Sequence, residues 1–154
     1  MSDSPSIDHQ DFMRQALELA AEADREGDMG VGSLIVRGGE IVGRGRNRIL
    51  TRRDPLGHAE TEAIAEACRT LAVDTLKGCT LYTTMEPCPM CAGALLNAKV
   101  GHWVLGGRFK SVGRTDLGRY SVEAFAKFMD ADIRVTTGIL QTECETVRSR
   151  FFQR

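Results

Sequence analysis

Four residues of this chain have the types and spacing to hold a metal ion and use it. They are His58 and Glu60 in "GHAETEAI", and Cys88 and Cys91 in "TTMEPCPMCAGALLNAKV". Zinc favours tetrahedral nitrogen and sulfur ligands, and a catalytic site keeps three protein ligands and leaves the fourth position to water. His58, Cys88 and Cys91 supply one nitrogen and two sulfurs, so one Zn2+ per chain is expected. Cys88 at a helix mouth and Cys91 one turn further point to the same side. The positive end of a helix also favours their thiolate state. Glu60 is not needed as a ligand. It is placed to take a proton from a zinc-bound water, a hydroxide source near neutral pH, and to hand it to a leaving group.

A C-x-x-C pair alone fits a redox pair or half of a structural zinc site. The remaining cysteines, Cys68, Cys79 and Cys144, are isolated in apolar or helical settings and read as packing residues, so they complete no four-ligand site. A redox pair leaves His58 and Glu60 without a task. His9 in the N-terminal tail and His102 at a strand start read as structural or exposed.

These residues must be held by ordered elements. Phe12, Ala16, Leu19, Ala20 and Ala23 recur at helical spacing between about Asp8 and Arg25, with Gly27 as a stop. "VGSLIVRGGEIVGRGRN" reads as a hairpin around Gly38-Gly39. "ILTRRDPLG" is a loop. A helix follows from His58 to Leu71, then a strand in "GCTLYTT". Pro89 suits the first turn of a helix ending near Asn97. "GHWVLGG" is a strand and residues 107–119 a loop. Ser121 starts a short helix, "IRVTTGI" is a strand, and Thr142 caps a last helix ending near Phe152. The order α-β-β-α-β-α-β-α-β-α implies an α/β protein with a mixed sheet covered on both faces. Residues 1–7 read as a loose tail and 8–154 as a single domain.

Composition excludes several classes. With 154 residues, 42% apolar and 27% charged, the chain suits one soluble domain with a real core. A net charge of −1 argues against a strong polyanion binder, although a local basic patch is compatible with it. No apolar run reaches membrane-helix length and the start lacks signal-peptide features. Five cysteines without disulfide-scaffold density suit a reducing compartment, so a cytoplasmic location and no membrane association are expected.

"HAE" followed by "EPCPMC" matches the H-x-E … P-C-x-x-C pattern of zinc-dependent nucleobase deaminases. From about residue 10 to 152 the chain resembles the cytidine/deoxycytidylate deaminase superfamily. The resemblance implies a three-layer α/β/α fold around a central mixed five-stranded sheet. It implies a hydrolase acting on the C–N bond of a cyclic amidine, releasing ammonia, and a homodimer in which "AGALLNAKV" faces a partner chain. Asn47 at the end of the second hairpin strand reads as a turn residue alone. By resemblance it bonds the base, the N–H of Ala59 reads a base carbonyl, and the carbonyl of Glu86 accepts from the amino group under attack.

Three branches of that superfamily compete. "GRFKSVG" and "LYTT" resemble the fungal-type cytosine deaminases, which implies Phe109 over the base and Val31 and Met85 as apolar walls. "DPLGHAETEAI" resembles the guanine deaminases. "MCAGAL" and "RSRFFQR" resemble the tRNA adenosine deaminases, for which Arg44, Arg46, Arg48, Arg52 and Arg53 would contact phosphates. The leading expectation is a free-nucleobase deaminase converting cytosine to uracil and ammonia. Guanine or a related amino-azine comes second and tRNA adenosine third. The non-enzymatic alternative is a structural zinc module, against which Glu60 argues because such a site needs no proton carrier.

Overall fold

The computed structural model describes residues 8–154, so the tail expected over residues 1–7 lies outside the described residues. The elements are α1 (His9–Arg25), β1 (Gly32–Arg37), β2 (Glu40–Arg46), α2 (Ala59–Leu71), β3 (Thr80–Met85), α3 (Pro89–Asn97), β4 (His102–Gly107), α4 (Val122–Phe128), β5 (Arg134–Thr136) and α5 (Gln141–Ser149). A short 3-10 turn, Arg150–Gln153, follows. This order is the one read from the sequence.

The sheet runs β2-β1-β3-β4-β5. β1 is antiparallel to β2 and β3, whereas β3, β4 and β5 are parallel, so the sheet is mixed and five-stranded as expected. Its hairpin turns on two residues, Gly38 and Gly39, with φ of 57° and 81°. Both lie in the left-handed region that a two-residue turn of this twist demands. α1 begins because the Asp8 carboxylate accepts from the N–H groups of Gln10 and Asp11.

Alternating strand residues feed two cores. Ile35, Leu81, Trp103 and Leu105 face α2, α3 and α4, meeting Ala63, Ala67, Ala92, Leu95 and Val122. Leu34, Val36, Tyr82 and Val104 face α1 and α5, meeting Met13, Ala16 and Cys144. The architecture is therefore three layers, α/β/α.

Two local expectations need correction. Thr142 does not cap α5. The helix starts at Gln141, after Leu140 in a left-handed conformation at φ 52°. Leu140 packs against the α1-side core, so apolar burial rather than a hydroxyl cap sets where the helix begins. His9 is not tail but the first residue of α1, with Nδ1 2.8 Å from the Tyr82 hydroxyl. Within "AGALLNAKV", Ala92, Leu95, Ala98 and Val100 pack into this chain's own core, while Gly93, Ala94 and Leu96 stay half-buried. Phe128, on α4, is 84% exposed.

β2 and α2 touch without side chains between them. A Cβ at Gly43 would run into the Ala63 carbonyl, and one at Gly45 into the Ala59 carbonyl. The two glycines thus let the helix lie directly on the strand, which fixes the height of its first turn. Gly45→Ala should destabilise the protein by about 1–3 kcal/mol, the usual cost of overpacking. Urea unfolding measures this, and unchanged stability would show that α2 moves away from β2 freely.

Candidate active site

His58 and Cys88 occupy equivalent places. Each precedes the first residue of a helix with extended backbone, His58 at φ −79°, ψ 156° and Cys88 at φ −68°, ψ 171°. Neither side chain caps its helix, so both remain available as ligands. Pro89 opens α3 as expected, and Cys91 lies one turn in and fully buried. His58 Nδ1 lies 3.7 Å from Cys88 Sγ. The ligand atoms of His58, Cys88 and Cys91 all lie within 4.8 Å of one another. Zinc bonds of about 2.1 Å to nitrogen and about 2.3 Å to sulfur give a tetrahedral N···S edge of about 3.6 Å. The donor set and its spacing fit zinc.

The three groups bear on one another's protonation. A hydrogen bond from the Cys91 thiol is the main reason the Cys88 pKa falls to about 4, with His58 contributing. That shared proton, together with burial, pushes Cys91 up. The hydrogen bond to Cys88 raises His58 against the effect of its own burial.

Glu60, in the first turn of α2, is 4% exposed and lines a cavity of about 240 Å³ beside these ligands. Burial raises its pKa, and a hydrogen bond from Thr83 opposes the rise. Thr83 Oγ1 donates to Glu60 Oε1 at 2.8 Å and accepts from Ser33 Oγ at 2.8 Å. Sequence reasoning missed both hydroxyls, because their meeting depends on the β1–β3 register that pairs Ser33 with Thr83.

The structure brings Asn47, Val31, Met85, Glu86 and Phe109 to the same cavity as His58, Glu60 and Cys88. Val31, Met85 and Phe109 pack with Ala59 as an apolar cluster. One expectation changes. The N–H of Ala59 is given to Asn47 Oδ1 at 3.0 Å. Asn47 thereby satisfies an orphan donor at the start of α2 from outside the helix, and the Ala59 N–H is engaged rather than free for a base. Glu86 also acts through its side chain. Oε1 accepts from Arg108 Nε at 2.9 Å and the Phe109 N–H at 3.1 Å, and Oε2 from the Val122 N–H at 3.0 Å.

Arg114 and Arg148 line the cavity too, with Met29 and Ile49. Nothing in their spacing announced this. The arginines expected as a patch are partly spent: Arg46 pairs with Glu22 and Glu26, and Arg52 with Glu62.

The family model described as "Cytidine and deoxycytidylate deaminase zinc-binding region" matches residues 6–107. The chain belongs to this family. It is a zinc-binding deaminase domain, as its donor set indicates. It is 35% identical over 142 residues to the tRNA-specific adenosine deaminase of Bacillus subtilis, covering 92% of this chain and 87% of that one. A solved structure from a study of A-to-I editing by tRNA:A34 deaminases superposes with a TM-score of 0.77 at 29% identity, covering 89% of this chain and 98% of that one. The guanine deaminase of Bacillus subtilis is 43% identical, over 94 residues and 60% of each chain.

The expectation of free cytosine is overturned. Relatives similar over nearly the whole chain are tRNA-specific adenosine deaminases. The "RFKS" likeness misled because this loop has structural duties whatever the substrate: Arg108 bridges Glu86 and Glu123, and the Phe109 N–H binds Glu86, while the Phe109 ring lines the cavity. Among the described residues no helix is long and apolar enough to cross a membrane.

Protein purified without chelator should carry about one zinc per chain, and Cys88→Ala should lose most of it. Elemental analysis checks both, and full occupancy in the variant would remove Cys88 from the ligand set. Asn47→Ala should cost about 1 kcal/mol as a lost helix cap, while Asn47→Asp keeps the acceptor and most of that stability. Equal melting losses in the two variants would rule out the capping role.

Proposed function

We propose that this chain hydrolytically deaminates adenosine within a tRNA, giving inosine and ammonia. The observation that carries this reading is 35% sequence identity to a tRNA-specific adenosine deaminase sustained over 92% of the chain, where the sequence match to the guanine deaminase of Bacillus subtilis covers 60%. The geometry accommodates it, as it would a free base. A cavity of about 240 Å³ is below the roughly 300–1,000 Å³ of drug-sized ligand sites. It suits one base swung out of a loop, with sugar and phosphate left outside.

His58, Cys88 and Cys91 would hold the metal in this reading, and zinc there would supply a water of lowered pKa. Glu60 takes one proton from the attacking water as the oxygen bonds to the ring carbon and gives it to the ring nitrogen; it then takes the proton left on that oxygen and gives it to the amine, which leaves as ammonia as the carbonyl forms. Its raised pKa suits a group that must both accept and return a proton near neutral pH. Thr83 orients the carboxylate through Oε1. The Asn47 amide nitrogen is left to donate to the base, and the Glu86 carbonyl accepts from the amine. Phe109, Val31 and Met85 enclose the ring. A cytoplasmic location and a homodimer belong to the same reading, with the exposed Phe128 as an apolar contact.

Guanine deamination is the second reading, favoured by the 43% identity to a guanine deaminase. A side-by-side assay separates the two: an anticodon stem-loop with the target adenosine, then adenosine, adenine, guanine and cytosine. The stem-loop should be turned over most efficiently by kcat/KM; preference for guanine would establish the second reading instead. Glu60→Gln should retain zinc and lose at least ~100-fold in kcat. Near-normal turnover in that variant would exclude Glu60 as the proton carrier.

A further inference from the structure

Arg148 has no task in the chemistry above, yet its position is costly. It sits on α5, is 7% exposed, and lines both the catalytic cavity and an outer groove of about 620 Å³. Among the described residues its guanidinium makes no ion pair and donates no hydrogen bond; its neighbour is the Phe152 ring, whose centroid is 4.8 Å from Cζ. Among the described residues no fully buried side-chain nitrogen or oxygen lacks a partner, so the unbonded guanidinium nitrogens are not sealed off, and Arg148 lines both cavities. Burying a cation without a counterion is unfavourable. Burial and the nearby charge of Arg114 both lower the Arg148 pKa, while Asp116 and Glu145 act on it only from a distance.

Arg114 lines the same two cavities. Its Cζ stands 4.8 Å from the Phe109 ring centroid, and its Nε pairs with Asp116 at 2.8 Å. Where the inner cavity meets the outer groove, the two guanidiniums meet one carboxylate, Asp116, already paired with Arg114, which leaves positive charge there; Glu60 and Glu86 line the inner cavity, and Glu145 acts on Arg148 from further off. Met29, Arg114 and Arg148 are the residues common to both. A nucleotide whose base fills the inner cavity must pass its sugar and phosphate across this boundary. The guanidinium fork matches phosphate oxygens in geometry and charge.

We infer that Arg148 and Arg114 form a phosphate-binding subsite at the mouth of the catalytic cavity, which holds the phosphate attached to the nucleotide being deaminated. That the nucleotide is an adenosine in RNA rests on the reading proposed above; that the site takes a phosphate rests on the two arginines and the shared boundary. The phosphate is a diester in a polynucleotide or a monoester in a free nucleotide, and the substrates below distinguish the two.

The test uses the zinc-loaded full chain as wild type, Arg148→Met, Arg148→Lys and Arg114→Gln. Met keeps the apolar stem that packs on Phe152 and removes the charge. Calorimetric titration with inorganic phosphate gives a readout independent of activity. Arg148→Met should weaken phosphate binding by about 10- to 150-fold, the range for a lost hydrogen bond to a charged group, and Arg148→Lys should retain part of it. On the stem-loop, adenosine 5′-monophosphate and adenosine, the kcat/KM loss on a phosphorylated substrate should exceed that on adenosine at least tenfold. A loss seen on the stem-loop but not the monophosphate assigns the diester, and the reverse assigns the monoester. Phosphate affinity that is undetectable in wild type or unchanged in Arg148→Met overturns the subsite, as do equal losses on all three substrates. If wild type deaminates no adenosine substrate, the proposed function fails. The phosphate titration and a guanine versus guanosine monophosphate comparison then decide the subsite separately. Should Arg148→Met fail to fold, Arg148→Lys and Arg114→Gln carry the same comparisons.

Discussion

The seating of α2 on β2 is the contact on which the site depends. Gly43 and Gly45 bring helix and strand together without intervening side chains, and Asn47, just past the strand, binds the Ala59 N–H. His58 and Glu60 flank Ala59, so one placement sets both a metal ligand and the carboxylate beside it. The other two ligands come from α3, which leaves the end of β3, and β1 separates β2 from β3. Because β1 is antiparallel to both, its start lies beside their ends. The segments around Val31, Asn47, Met85 and Phe109 therefore gather at one end of the sheet. Its parallel part offers its carboxyl ends there, the usual place for a site in such sheets.

A second anchor holds the opposite wall. The Glu86 carboxylate, 3% exposed, gathers the Arg108 guanidinium and the backbone N–H groups of Phe109 and Val122. A buried charge needs such partners to be tolerated. In collecting them, Glu86 ties the end of β3 to both ends of the loop between β4 and α4. Phe109 and Arg114 are presented to the cavity from that loop, and Tyr120 near its far end donates to the Pro87 carbonyl at 2.5 Å. Metal ligands and cavity wall are thus braced from adjacent residues, Glu86 and Pro87, through different bonds.

Legibility in the sequence followed the range of the interactions. Cys88, Pro89 and Cys91 form one helical turn, so a four-residue pattern already contains its geometry. The hairpin was equally local, resting on two glycines with positive φ. Thr83 and Ser33 were not legible, because a hydroxyl in "LYTT" becomes a partner of Glu60 only once β1 pairs with β3 in the observed register. The role of Gly43 and Gly45 stayed hidden for the same reason: in a chain with 16 glycines, only the packed helix shows which ones have no room for a side chain. The start of α5 was misplaced because burial of Leu140 outweighed the capping preference of Thr142.

The substrate was the least legible feature, and the reason is chemical. Removing an amino group from a heterocycle places the same demands on the reacting centre whichever ring is involved: a metal, an activated water, and a carboxylate that accepts and returns a proton. The residues that meet those demands carry the strongest pattern in the sequence and discriminate least between branches. A cavity of about 240 Å³ reads at most the base. What distinguishes a free ring from a nucleotide or an RNA lies beyond it, on the 107–121 loop and α5. There, side chains far apart in sequence, such as Arg114 and Arg148, meet only in the folded chain. A short likeness such as "RFKS" on that loop is weak evidence of substrate, because the loop must first satisfy Glu86. Resemblance over the whole chain carries more weight, since it samples the surfaces beyond the cavity where the choice of substrate is made.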